Sequence, residues 1–96
     1  MAKAYVIFTE DIHDPDKMNE YTAKAIPTIM GSGCTILGVS QSPTVLEGEW
    51  HGNQTVLLEF ESVEAAEAWY NSEAYGEAKP IRFEAANCNA AIIPGL

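Results

Sequence analysis

Three glutamates flank a tryptophan in the stretch VLEGEWHGNQTVLLEF, residues 45 to 60, and they are the first groups in the chain suited to moving a proton. Glu47, Glu49 and Glu59 would act as general acid or base if burial raised a carboxyl pKa toward neutrality. On a solvated strand the same residues would only carry charge. Arg82, the one arginine, is suited to pinning a carboxylate-bearing ligand or to pairing with a glutamate of the sheet. Tyr5 brings a hydroxyl that needs a partner wherever it enters a cavity. Trp50 supplies a large contact surface, and Trp69, Tyr70 and Tyr75 recur at a helical spacing that more often builds a core than a cofactor site. Glu47 and Glu59 are therefore the candidate catalytic pair. Tyr5, Trp50, Trp69, Tyr75 and Arg82 are the candidate ligand contacts.

Other chemistries find less support. His51 sits in a turn beside Trp50, where a proton shuttle is conceivable but a turn histidine is ordinarily exposed. Asp11, His13 and Asp14 resemble metal ligands, yet Asp14 is explained as a helix cap and no second His or Cys lies nearby, so no metal is expected. GxGxxG, P-loop, GxSxG and HExxH motifs are all missing, and no cofactor is expected.

Fourteen Asp and Glu against five Lys and Arg give a net charge of -9, which repels phosphate backbones and anionic lipid surfaces. Lys3, Lys17, Lys24, Lys79 and Arg82 are scattered singly, so neither nucleic acid nor membrane is an expected partner. The apolar run near the start is only five residues, too short for a secretory segment, and nothing approaches the roughly 18 apolar residues of a membrane span. A cytoplasmic location follows as the expectation. Cys34 and Cys88 are read as reduced thiols.

Ninety-six residues suit one domain, residues 1–96. A chain this short buries only about 60–65% of the surface its unfolded form exposes, so a second copy covering an apolar sheet face would help its stability. AYVIFT, residues 4 to 9, is a strand with Ala4, Val6 and Phe8 on one face and Tyr5 and Ile7 on the other. Both faces are apolar, which makes it central and leaves the second face to be covered. Asp14-Pro15 starts a helix with an inward stripe of Met18, Tyr21, Ala25 and Ile29. Pro27 predicts a kink or a 3₁₀ turn before a left-handed exit at Gly31. Cys34 to Ser40 reads as a strand and Thr44 to Trp50 as a strand again, either one bent strand or two. Gln54 to Glu61 returns. Ser62 caps a helix carrying Val63, Ala66, Trp69 and Tyr70 inward; Ser72 starts another with Tyr75, Ala78 and Phe83 inward and Pro80 as its break. Asn87 to Ile93 is the last strand.

Side-chain alternation predicts the hairpin register. A three-residue loop, His51 to Asn53, sets Trp50 opposite Gln54, Gly48 opposite Val56 and Leu46 opposite Leu58. One face then holds Leu46, Gly48, Trp50, Val56, Leu58 and Phe60 and packs on the helices. The other holds Val45, Glu47, Glu49, Thr55, Leu57 and Glu59, an apolar floor with carboxylates, as expected where a second sheet closes over a wet cavity.

VLEGEW, followed by VLLEFESVEAAEAWYNSEAYGEAKPIR, resembles the small dimeric α+β barrel proteins of domain-of-unknown-function family thirteen-thirty. The likeness spans nearly the whole chain: the opening strand and helix, Gly31-Ser32-Gly33 before the second strand, the EGxW hairpin, the EF-x-S junction of Glu59, Phe60 and Ser62, and the run through Trp69, Tyr70, Ser72, Tyr75 and Arg82. It implies an α+β, ferredoxin-like β-α-β-β-α-β sandwich with an antiparallel sheet that pairs sheet to sheet with a second copy. It supplies no reaction, since relatives of this architecture include cofactor-independent monooxygenases, lactone isomerases and haem-degrading enzymes. The implied strand order, 4-1-3-2, sets Cys34 and Cys88 on opposite edges, about 14 Å apart at roughly 4.8 Å per strand. That exceeds the ~7 Å a disulfide tolerates.

Two functional readings result. In the first, a cytoplasmic homodimer binds a small, partly apolar metabolite in a cavity between sheet and helices, with Glu47, Glu59, Tyr5 and Arg82 as the polar lining and cofactor-independent proton transfer as its chemistry. In the second, the chain is a non-catalytic structural or binding module whose interface is filled by side chains. A cavity of about 300 Å³ or more with convergent polar groups would favour the first.

Overall fold

The structure is a computed structural model and describes residues 2–96. Its elements run β1 (Ala4–Ile12), α1 (Pro15–Gly31), β2 (Thr35–Ser40), β3 (Gln54–Phe60), α2 (Val63–Tyr70), α3 (Glu73–Ala85) and β4 (Ala86–Pro94). The sheet is antiparallel in the order β2-β3-β1-β4, the expected ferredoxin-like arrangement. No helix among the described residues is long and apolar enough to cross a membrane.

Alternation along β1 decides the sheet's two faces. Ala4, Val6, Phe8 and Glu10 are buried on the helix side, and Tyr5, Ile7 and Thr9 are half-buried on the other. On β3, Leu58 and Phe60 join the buried side, where they meet Met18, Tyr21, Ala25 and Ile29 of α1 with Ala66, Trp69, Tyr75 and Ala78 of α2 and α3. Asp14 caps α1 by accepting from Lys17 N at 3.1 Å, Ser62 caps α2 and Ser72 caps α3. The free cysteines lie at opposite edges of the sheet, Cys34 just before β2 and Cys88 on β4.

The expected strand over Thr44 to Trp50 does not form. β3 has two edges; β1 takes one and Thr35–Ser40 takes the other, pairing Ile36 with Leu58 and Val39 with Val56. Residues 41–53 are therefore a loop, and the pairings of Trp50 with Gln54, Gly48 with Val56 and Leu46 with Leu58 are replaced. Gly48 adopts φ 72°, a left-handed conformation that ends any strand there. Leu46 is 89% exposed and Trp50 46%, so neither packs on the helices.

Both prolines expected to interrupt helices are accommodated. Pro27 and Pro80 lie inside α1 and α3, where the carbonyls four residues earlier, those of Ala23 and Gly76, belong to exposed residues that water can satisfy. α1 ends at Ser32, and the left-handed residue is Gly33 rather than Gly31. On α3 the inward positions are Tyr75, Ala78, Arg82 and Ala85, leaving Phe83 58% exposed in place of its expected burial.

Candidate functional site

The helix-side row of β1 ends in a carboxylate. Glu10 follows Ala4, Val6 and Phe8 at intervals of two and is 2% exposed. It lies across from Gln54 on β3 and Cys88 on β4. Gln54 donates from Nε2 to Glu10 Oε1 at 2.9 Å, and Gln41 donates to Gln54 Oε1 at 3.3 Å, which fixes the orientation of that amide. The loop's end is tied to the same stretch of β1. Asn53 N donates to the Glu10 carbonyl at 2.7 Å, the Asn53 side chain pairs with the backbone of Ile12, and Gly52 approaches the Glu10 backbone so closely that a Cβ would overlap it. Burial pushes the Glu10 carboxyl above its usual range, and the Gln54 hydrogen bond and the Arg82 charge recover only part of that shift.

Arg82 is the second buried charge, 1% exposed. Its guanidinium carbon lies 4.9 Å from the Phe8 ring centre and 5.0 Å from that of Phe83, within cation–π range. Nε has no hydrogen-bond partner. Burial works against the charge, and the facing Tyr75, Tyr21 and Cys88 more than offset it. The ion pairs among the described residues all use Lys3 or Lys17, so neither Glu10 nor Arg82 has a salt-bridge partner. Tyr21 and Tyr75 are buried in the same core, and their hydroxyls share a 2.8 Å hydrogen bond. Burial raises both tyrosines above the ordinary range and raises the Cys88 thiol as well.

α1 packs on α3 and leaves β2 uncovered, so that Ile36 is 39% and Val39 58% exposed. The gap between α1 and the β2–β3 edge is a cavity of about 200 Å³, walled mainly by apolar side chains of Phe8, Ala25, Ile29, Val39 and Leu58, with Glu10 and Tyr21 as its ionisable groups. It is smaller than the 300 Å³ anticipated. However, it shares Met18, Thr22 and Gln54 with an outer cleft of about 420 Å³ that adds Asn19, Gln41 and Asn53. The combined groove is apolar inside and amide-rich at its mouth.

The residues singled out from the sequence fall on two sides of the sheet. Trp69, Tyr75 and Arg82 are on the helix side, where Trp69 stacks 4.1 Å from Tyr75 and donates to Thr28 Oγ1 at 3.1 Å. Tyr5 and Glu59 are cross-strand neighbours on the bare face, with Glu59 held 3.4 Å from Lys3 Nζ. Trp50 reaches the same face, donating to Thr55 Oγ1 at 2.8 Å, and His51 Nδ1 lies 2.8 Å from Thr9 Oγ1. Glu47 lines a shallow pocket made of the loop's own residues. The sheet thus separates Glu59 and Tyr5 from Arg82. Glu10, Tyr21 and Gln54 were not singled out for chemistry; extending the alternation of β1 two residues past Phe8 would have placed Glu10 among the core positions.

A family model described as a domain of unknown function, DUF1330, matches residues 3–96. The chain belongs to the DUF1330 family. No curated protein matches it. Among solved structures, this DUF1330 chain is similar to a protein of unknown function from Rhodopseudomonas palustris, at TM-score 0.80 and 16% identity over 99% of this chain and 83% of that one. It is also similar to SnoaB, a cofactor-independent oxygenase from Streptomyces nogalater, at TM-score 0.67 and 8% identity over 97% and 92%. A dimeric ferredoxin-like protein of unknown function from Thermobifida fusca aligns at TM-score 0.60 and 11% identity over 99% and 92%. At these identities the likeness establishes the ferredoxin-like fold of this DUF1330 member.

Proposed function

We propose that this chain is one dimeric α+β barrel domain that acts in the cytoplasm as a homodimer, binds a small, partly apolar metabolite in the cavity between α1 and the sheet, and performs acid/base chemistry there without a cofactor. The observation that carries this reading is the Glu10 carboxyl, held by Gln54 in the wall of a mainly apolar cavity and pushed above its usual range by burial. Arg82, Tyr75 and Trp69 are buried in the core on the same side of the sheet, and Glu10 takes the acid/base role expected of Glu47 and Glu59. The cofactor-independent oxygenase among the structural neighbours is consistent with such chemistry on this fold.

Homodimerisation is supported by the bare face of the sheet, where Ile7, Leu57, Ala91 and Ile93 form an apolar floor beside Tyr5 and Glu59, and by the neighbour described as dimeric. In the homodimer Tyr5, Glu59 and Trp50 line the space between sheets, and Glu47 stands at its rim. Native mass spectrometry of freshly purified protein tests both parts together. The expected spectrum shows dimers carrying a small-molecule adduct that Glu10→Gln weakens. Monomers, or dimers whose apolar probes bind only between the sheets, would instead favour a non-catalytic module.

A further inference from the structure

Tyr21 lines the same cavity as Glu10, and its proton can be located from the hydroxyl behind it. Tyr75 is fully buried, and the Tyr21 oxygen is the one hydrogen-bond partner of its hydroxyl among the described residues, so its proton has no other acceptor. The Tyr75 proton is then left for its 2.8 Å partner, the Tyr21 oxygen. Tyr21, having accepted that bond, is left to direct its own proton into the cavity, and the hydroxyl donating to it polarises its O–H. Burial keeps Tyr21 protonated well beyond the ordinary tyrosine range. One wall of a largely apolar cavity thus offers a polarised O–H donor, and another offers a carboxylate acceptor. Gln54 steadies the acceptor, Cys88 lies across from it on β4, and the Arg82 charge favours its ionised form.

A free ligand carboxylate is disfavoured by Glu10 itself, which would face it with like charge. A carbonyl group fits better: its oxygen accepts from Tyr21 while a hydrogen on the adjacent carbon faces Glu10. Resting on the cavity reading above, we propose that the substrate is a small carbonyl compound with an acidic C–H bond, and that the site interconverts it with its enol form, Glu10 carrying the proton and Tyr21 holding the oxygen. In the step, the Glu10 carboxylate takes the proton. The C–H electron pair becomes the new C=C bond, and the carbonyl π pair moves onto oxygen, where the Tyr21 hydroxyl stabilises the enolate. Return of the proton to the same carbon, or to a conjugated one, gives back the carbonyl compound or its isomer. No electrons are gained or lost.

The probe is 2-tetralone, apolar with an activated C–H beside its carbonyl, incubated with the purified protein in D2O. ¹H NMR follows deuterium exchange at the carbons next to the carbonyl, and saturation transfer in the same sample reports binding. The expected acceleration over buffer is on the order of 10³-fold. Glu10→Gln returns the rate to that of buffer, and Tyr21→Phe lowers it by about 10²-fold. Tyr75→Phe keeps the Tyr21 hydroxyl but removes the donor behind it, and lowers the rate several-fold; melting curves confirm that the variants are folded. Binding with exchange at the buffer rate, or a Tyr21→Phe rate equal to wild type, overturns enolisation and leaves the cavity reading standing. Absence of saturation transfer overturns both.

Discussion

Replacing Glu10 with glutamine should stabilise the protein at neutral pH. The carboxylate is 2% exposed, takes no part in an ion pair, and receives one side-chain hydrogen bond, from Gln54 at 2.9 Å. The isosteric amide keeps an oxygen for that bond and removes the desolvation cost of the charge, at the loss of a favourable field from Arg82. With burial the dominant cause, the net gain is about 1–3 kcal/mol, or roughly 5–20 °C in Tm for a domain of this size. The sign with pH is definite. Because the folded carboxyl titrates above its ordinary 4.5, the unfolded chain releases this proton first as pH rises, and wild-type stability falls through the interval between the two pKa values. Below that interval Glu10 is neutral in both states and the advantage of glutamine vanishes; above it the advantage is full and constant. Thermal melts by circular dichroism at pH 4 and pH 7, at low protein concentration, measure both margins. Equal margins at the two pH values, or a variant less stable than wild type at pH 7, would refute a burial-dominated carboxylate.

Two further outcomes follow from the loop and the bare sheet face. Gly52→Ala forces a Cβ into the Glu10 backbone at φ 85° and should cost about 2–4 kcal/mol, whereas Gly48→Ala, at φ 72° with open space around it, should cost only about 1–2 kcal/mol; urea denaturation of the pair checks the ranking. Leu57→Asp places a charge amid the proposed dimer's apolar floor, and sedimentation should show monomers that keep the wild-type far-UV spectrum; a retained dimer would place the contact elsewhere.

Much of the scaffold is legible locally. The caps at Asp14, Ser62 and Ser72 are short-range hydrogen bonds, and the inward stripe of Met18, Tyr21, Ala25 and Ile29 is a property of helical period alone. The division of β3 into Leu58 and Phe60 inward against Thr55, Leu57 and Glu59 outward follows from period two whichever strand lies beside it. VLEGEW misleads because it alternates like a strand while its neighbour TILGVS, with β-branched residues, competes for the same edge of β3 and takes it.

The candidate site was harder to read, since a charged residue at a core position contradicts composition-based expectation. Glu10 continues the buried row of β1 one residue beyond the strand read over residues 4 to 9, and only the helix lying over it makes it a cavity wall. Phe83 and Arg82 are adjacent on α3, and hydrophobicity favoured burying the phenylalanine. The helix buries Arg82 instead, against the Phe8 ring.

The amino-acid order by itself determined where each helix starts and which face of β3 turns inward, because these depend on contacts a few residues apart. Only the tertiary structure decided which segment claimed the open edge of β3 and which charges were sealed inside, because both are settled by competition between groups brought together from distant parts of the chain.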